Sequence, residues 1–242
     1  MPEDALMPSI SLDLPWTRVR RLGLALLLLA VPACGLSDYE AKMRDAQERK
    51  DRFDEEEKYL DVPVQIPTQK NKDDRDEPVA NVFFRPPKGI EPKPQAQPRN
   101  SLNLWRYARV SRNSDFFWFE MAFASDEDKD FANTVANTYT TADQATRGTR
   151  EIVTPEQKTT MSFDFWEFSS GQSGYSINVL KGGRKPIAIV YCYNKARPDI
   201  VRKAIELSLQ SLGIDQKANA GRQRYNQKSP WRLEAEAKSE SE

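Results

Sequence analysis

Between Val62 and Arg99 prolines recur too often for a helix to form or for a sheet ladder to run unbroken. They stand in Val62-Pro-Val-Gln-Ile-Pro67, in Arg85-Pro-Pro-Lys88 and in Glu91-Pro-Lys-Pro-Gln-Ala-Gln-Pro98. Each removes a backbone donor and fixes φ near −65°. The chain is thereby divided into a stretch that can be helical before this segment and a stretch that can build a mixed domain after it. Residues 62–100 are expected to be an extended, polyproline-II-rich spacer, unstructured on its own, from which Val82-Phe83-Phe84 can fold back as an edge strand. The alternative is a docking string for a partner with an aromatic groove.

After the prolines, residues 101–214 have the size of a single domain. Leu102–Val110 and Phe116–Phe123 read as strands joined by the turn Ser111–Asp115. Phe131, Val135 and Tyr139 then share one helix face, behind a capping signal at Ser125 and Asp128. A polar loop leads to strands at Met161–Phe168, Tyr175–Leu180 and Ile187–Tyr193. A closing helix starts at Pro198 and stops at Gly213. Strand, strand, helix, three strands, helix is an α+β pattern: an antiparallel sheet with covering helices. In element order this is similar to the Mog1/PsbP-like sandwich carried by some exported lipoproteins, a resemblance that assigns no residues. The polar tail 215–242 is expected to be disordered, with Trp231 as a candidate docking anchor.

Before the prolines, Arg18, Arg20 and Arg21 precede the apolar run Leu22–Val31, and Pro32-Ala33-Cys34 ends it. A charged cluster, a short apolar run and a small residue before a break are the marks of an export signal, and the run is short of the roughly 20 residues that span a bilayer. Val31-Pro32-Ala33-Cys34 resembles the lipobox of bacterial lipoprotein precursors, with Pro32 as its departure from the pattern. The resemblance implies that residues 1–33 are removed as a signal peptide, that Cys34 takes a diacylglyceryl thioether, and that the new amino terminus is acylated. The mature chain would then be tethered in the bacterial cell envelope, at the inner or outer membrane. Residues 34–61 would form the anchor and a charged juxtamembrane helix. Tyr39, Met43, Ala46, Lys50, Phe53, Glu57 and Leu60 follow a heptad rhythm with two charged members, a weak coiled-coil signal for self-association over 38–61. Ser37 with Glu40 is the expected cap.

Lys plus Arg number 36, as do Asp plus Glu, and histidine is absent. A neutral chain has no footprint for a nucleic-acid backbone, and without imidazole there is no Ser-His or Cys-His nucleophile. Of the two cysteines, Cys192 lies in an apolar β-rich run and reads as a small buried hydrophobe. No metal or cofactor is called for: Asp126-x-Asp128-x-Asp130 begins like a calcium loop, but Phe131 takes the place of its glycine and Asn137 that of its glutamate. Glu120, Asp164 and Glu167 sit among aromatics as a hydrolase of wall or surface glycans would require, although alternation puts Asp164 and Glu167 on opposite faces. Trp105, Trp118 and Trp166, with Phe116, Phe117, Phe119, Phe123, Phe163 and Phe165, either fill the core or line a cleft for a lipid, glycan or peptide. The expectation is therefore a lipid-anchored envelope protein whose domain binds a protein or glycan partner or serves structurally, with glycan hydrolysis as the alternative.

Overall fold

The structure is a computed structural model. It describes residues 16–70, 75–96, 102, 104–124, 130–140, 145–154, 159–182 and 186–226, with side chains from Asp38 onward except those of residues 69, 70, 76 and 224. Two compact units divide at Asp54 and Glu55. Helix α1 (Trp16–Tyr59) supplies the described part of the first unit and begins well before the expected cap at Ser37. Leu and Ala, which dominate residues 22–30, have high intrinsic helix propensity, whereas Pro32 and Gly35 are carried inside the helix against theirs. Within this unit Tyr39 and Met43 are exposed, and polar groups one turn apart bond along the surface, as where the Gln47 amide donates to Asp51 at 2.7 Å.

Among its described residues the second unit has eleven strands and three further helices: β1 (Thr68–Lys70), β2 (Asp76–Pro78), β3 (Val82–Phe83), β4 (Gln95–Ala96), β5 (Leu104–Ala108), β6 (Phe116–Phe123), α2 (Phe131–Tyr139), β7 (Thr146–Thr154), β8 (Thr159–Ser170), β9 (Ser173–Leu180), β10 (Ile187–Asn194), α3 (Pro198–Gln210), β11 (Gly213–Ile214) and α4 (Gln216–Asn226). Seven strands form one antiparallel sheet in the order β4-β5-β6-β10-β9-β8-β7. The fold is α+β, as expected. Alternation sorts the side chains into two cores. On one face Tyr107, Phe119, Met121, Phe163, Ile189 and Tyr191 pack with Val201, Ile205 and Leu209 of α3. On the other, Leu104, Ala122, Ile177, Ala188 and Val190 pack with Phe131 and Val135 of α2.

The proline-rich segment is the main departure from expectation. Its described part is no free spacer: Val64, Val82, Phe84 and Ile90 are buried in the α3-side core, and Phe84 packs its ring 5.6 Å from that of Phe119. Proline cannot donate, but its carbonyl still accepts. Pro86, Pro92 and Pro67 accept from the backbone of Asp61, Gln65 and Val79 at 2.8, 2.9 and 2.8 Å. The prolines thus shape a segment that wraps the sheet by short ladders and turn contacts instead of a long strand. Arg85 anchors it. Its guanidinium is buried with each of its three nitrogens bonded, donating to Glu56 at 3.1 Å, Glu57 at 2.7 Å and the Asp61 carbonyl at 3.1 Å, while its backbone bonds to Ser208 and Ser211. A desolvated charge is tolerable when its donors are met in this way.

Two further departures have local causes. Thr146–Thr154, expected as loop, is an edge strand; only Ile152 and Thr154 are buried along it, so no apolar alternation announced it. The tail is ordered through α4. Ala218 is fully buried, Arg222 bonds Asn81 and the Val82 carbonyl at 2.7 and 2.9 Å, and Tyr225 lies against Phe83. Trp231 lies outside the described residues, as do Ser125, Asp126 and Asp128.

Candidate functional site

The three tryptophans singled out above do not converge. Trp105 stands on the α3 face, edge-on to Phe123 at 5.5 Å, and packs against the core. Trp118 and Trp166 stand on the α2 face, where both are half-buried at the margin of the second core. Register explains the grouping: Trp118 pairs with Cys192, Cys192 with Tyr175, and Tyr175 with Phe168, giving one row across four strands. Trp166 lies in the next row, opposite Ile177. Phe168 and Tyr175 stack at 4.7 Å with rings 2° from parallel, and Trp118 meets Tyr175 edge-on at 6.1 Å. Phe116, Phe119, Phe123 and Phe163 are core residues of the opposite face.

A buried ionic group borders these rings. Glu120 is fully buried, and it accepts from Arg106 Nε at 2.6 Å and from the Tyr139 hydroxyl. The Arg106 guanidinium carbon lies 4.5 Å from the centre of the Trp118 ring, so one cation serves a carboxylate and an aromatic face at once. Cys192 sits within the row, between Trp118 and Tyr175. Burial pushes its thiol upward, against hydrogen bonds from Tyr175 and Ser173 that pull it down, so it is a protonated, weakly nucleophilic group at neutral pH. Arg106, Phe168 and Tyr175 are not marked as site residues by the sequence, and Tyr139 is marked only as part of a helix face. Alternation from Trp118 reaches Glu120 directly, but the cross-strand neighbours depend on register, which the sequence does not state.

The carboxylates do not form a catalytic pair. Asp164 shares the α2 face with Glu120 but lies three strand positions away, roughly 14 Å at about 4.8 Å per strand, beyond the separation that glycoside hydrolysis uses. It is held by Lys181 at 2.8 Å and by Thr149 at 3.1 Å. Glu167 is on the other face with Arg150 and Ser176. Glu120 has no open access for a substrate proton. Among the described residues no three acidic or sulfur ligands gather as for a metal ion, and no helix is long and apolar enough to cross a membrane. The side chain of Cys34 lies outside the described residues.

Two cavities occur away from the rings. One, of about 740 Å³, lies between the segment from Pro63 to Phe83 and Arg222, Tyr225 and Asn226 of α4. The other, of about 490 Å³, is floored by Phe116 and Ala204 with Lys58 and Lys88 at its wall. Neither includes Trp105, Trp118 or Trp166. No protein-family model and no curated protein matches the sequence.

Proposed function

We propose that the chain is a membrane-anchored lipoprotein of the bacterial cell envelope, lipidated at Cys34, and that its α+β domain binds an envelope protein or glycan through the aromatic end of the α2 face. The observation that carries the binding reading is the row Trp118, Tyr175 and Phe168 with Trp166 beside it, whose rings are kept half-exposed on a rigid sheet while Leu104, Ala122, Ile177, Ala188 and Val190 of the same face are buried with α2. Flat rings on a rigid support suit stacking on sugar rings and anchoring of a protein partner alike. The separation of Glu120, Asp164 and Glu167 leaves the hydrolase alternative without a supporting observation.

The test is photo-crosslinking in cells from a reporter residue at Trp166, with a second at exposed Val110 as control, alongside co-sedimentation of the purified chain with cell-wall glycan. Adducts or sedimentation that depend on Trp118 and Phe168 are expected. Equal adducts from both positions, with no sedimentation, would reject the aromatic face as the binding surface.

A further inference from the structure

The outer edge of β7 has a composition and a hydrogen-bonding phase that fit a second copy of itself. The backbone N–H of Lys181 donates to the Ser162 carbonyl at 2.7 Å, so Ser162 of β8 turns its backbone groups toward β9. By alternation Met161, Phe163, Phe165 and Glu167 turn theirs toward β7, where they meet Ile152, Arg150, Gly148 and Thr146. The backbone groups of Arg147, Thr149, Glu151 and Val153 therefore point outward from the last strand of the sheet, unpaired among the described residues. The side chains of these four share one face and are all exposed, and neither Arg147 nor Glu151 has an ion-pair partner among the described residues.

An edge of this length is a template for another strand. In an antiparallel self-pairing only registers that match outward residues with outward residues make bonds. Placing the two-fold axis at Thr149 sets Arg147 against the partner's Glu151, Glu151 against the partner's Arg147, and Thr149 against the partner's Thr149. That register makes about six backbone hydrogen bonds and two reciprocal opposite-charge pairs. Moving the axis by one residue to Arg150 opposes two like charges and pairs Arg147 with Val153. We infer that the chain forms a two-fold dimer by antiparallel β7–β7 pairing centred on Thr149, joining two seven-stranded sheets into one. The interface is isologous, as a two-fold dimer requires.

The experiment measures mass by light scattering for the purified full chain in mild detergent, beside Arg147→Glu, Glu151→Arg and a one-to-one mixture of the two variants. Both substitutions are at exposed positions, and circular dichroism verifies that each variant keeps its fold. The wild type is expected as a dimer. Each single variant faces two like-charge pairs and is expected to weaken dimerisation by about tenfold or more. The mixture is expected to regain the dimer as a heterodimer, because one chain then carries two arginines and the other two glutamates. A monomeric wild type overturns the inference. So does a dimer indifferent to both reversals, which would place association elsewhere, for instance at 38–61, and so does a mixture that stays monomeric.

Discussion

At the scale of single residues, two charges among the described residues lie where water does not reach, and each is matched by geometry. Glu120 is held by Arg106 and Tyr139; Arg85 is held by Glu56, Glu57 and the Asp61 carbonyl. Removing one member of a buried pair strands the other, which costs more than the pair itself contributes. Arg106→Ala, which leaves the carboxylate of Glu120 buried and unpaired, is expected to lower stability by about 3 kcal/mol, and Tyr139→Phe by about 1 kcal/mol, because Arg106 remains. Urea unfolding of both variants checks this; a loss for Arg106→Ala no greater than for Tyr139→Phe would show that the ion pair does not neutralise Glu120. The sequence contained Glu120 and Trp118 on one alternating face, and that much was legible. Their cation was not, because Arg106 is brought to them by a cross-strand register that no local pattern encodes.

At the scale of elements, local pattern located β5, β6, β8, β9, β10, α2 and α3, since the strands are runs of aromatic and β-branched residues and the helices carry apolar residues on one face. It failed where burial is irregular. Val62–Ala96 reads as a spacer because prolines and charges outnumber its apolar residues, yet four of those, Val64, Val82, Phe84 and Ile90, are placed in the core. β7 was hidden by an exposed edge rich in Thr and Arg, and α4 by a mean polarity that ignores the single buried Ala218. A substitution in the wrapped segment discriminates the two descriptions. Phe84→Ala in a free spacer would be neutral; with Phe84 fully buried against Phe119 it is expected to cost about 3–5 kcal/mol. Thermal or urea denaturation of that one variant is sufficient, and an unchanged midpoint would return 62–96 to the status of a linker. Close packing also constrains the sheet's own strands. A Cβ on Gly174 would come within 2.3 Å of the Tyr193 ring, which lies across that position, so Gly174→Ala must displace the ring.

At the scale of the whole molecule, the buried proton-bearing groups set an alkaline limit. Burial raises the thiol of Cys192 from its ordinary 9.0 and the phenols of Tyr107 and Tyr191 from their ordinary 10.0. Each group binds its proton more tightly folded than unfolded, so the stability tied to it is complete below the unfolded value and is lost as pH rises above it. The urea midpoint is expected to hold level to about pH 8.5 and to fall progressively from pH 9 through 10 and beyond, with a shallower fall in Tyr191→Phe. A midpoint that rises over this range would reverse the assigned sign. The aromatic face, the β7 edge and the wrapped segment all belong to the folded unit, whereas the proposed place of the protein in the cell rests on Cys34. The most direct measurement is therefore the intact mass and detergent partitioning of the chain expressed in a bacterial host, beside Cys34→Ala. A mature chain beginning at Cys34 with added acyl mass, absent from the variant, is the expected result. Residues 1–33 still attached in both proteins would contradict the lipoprotein assignment.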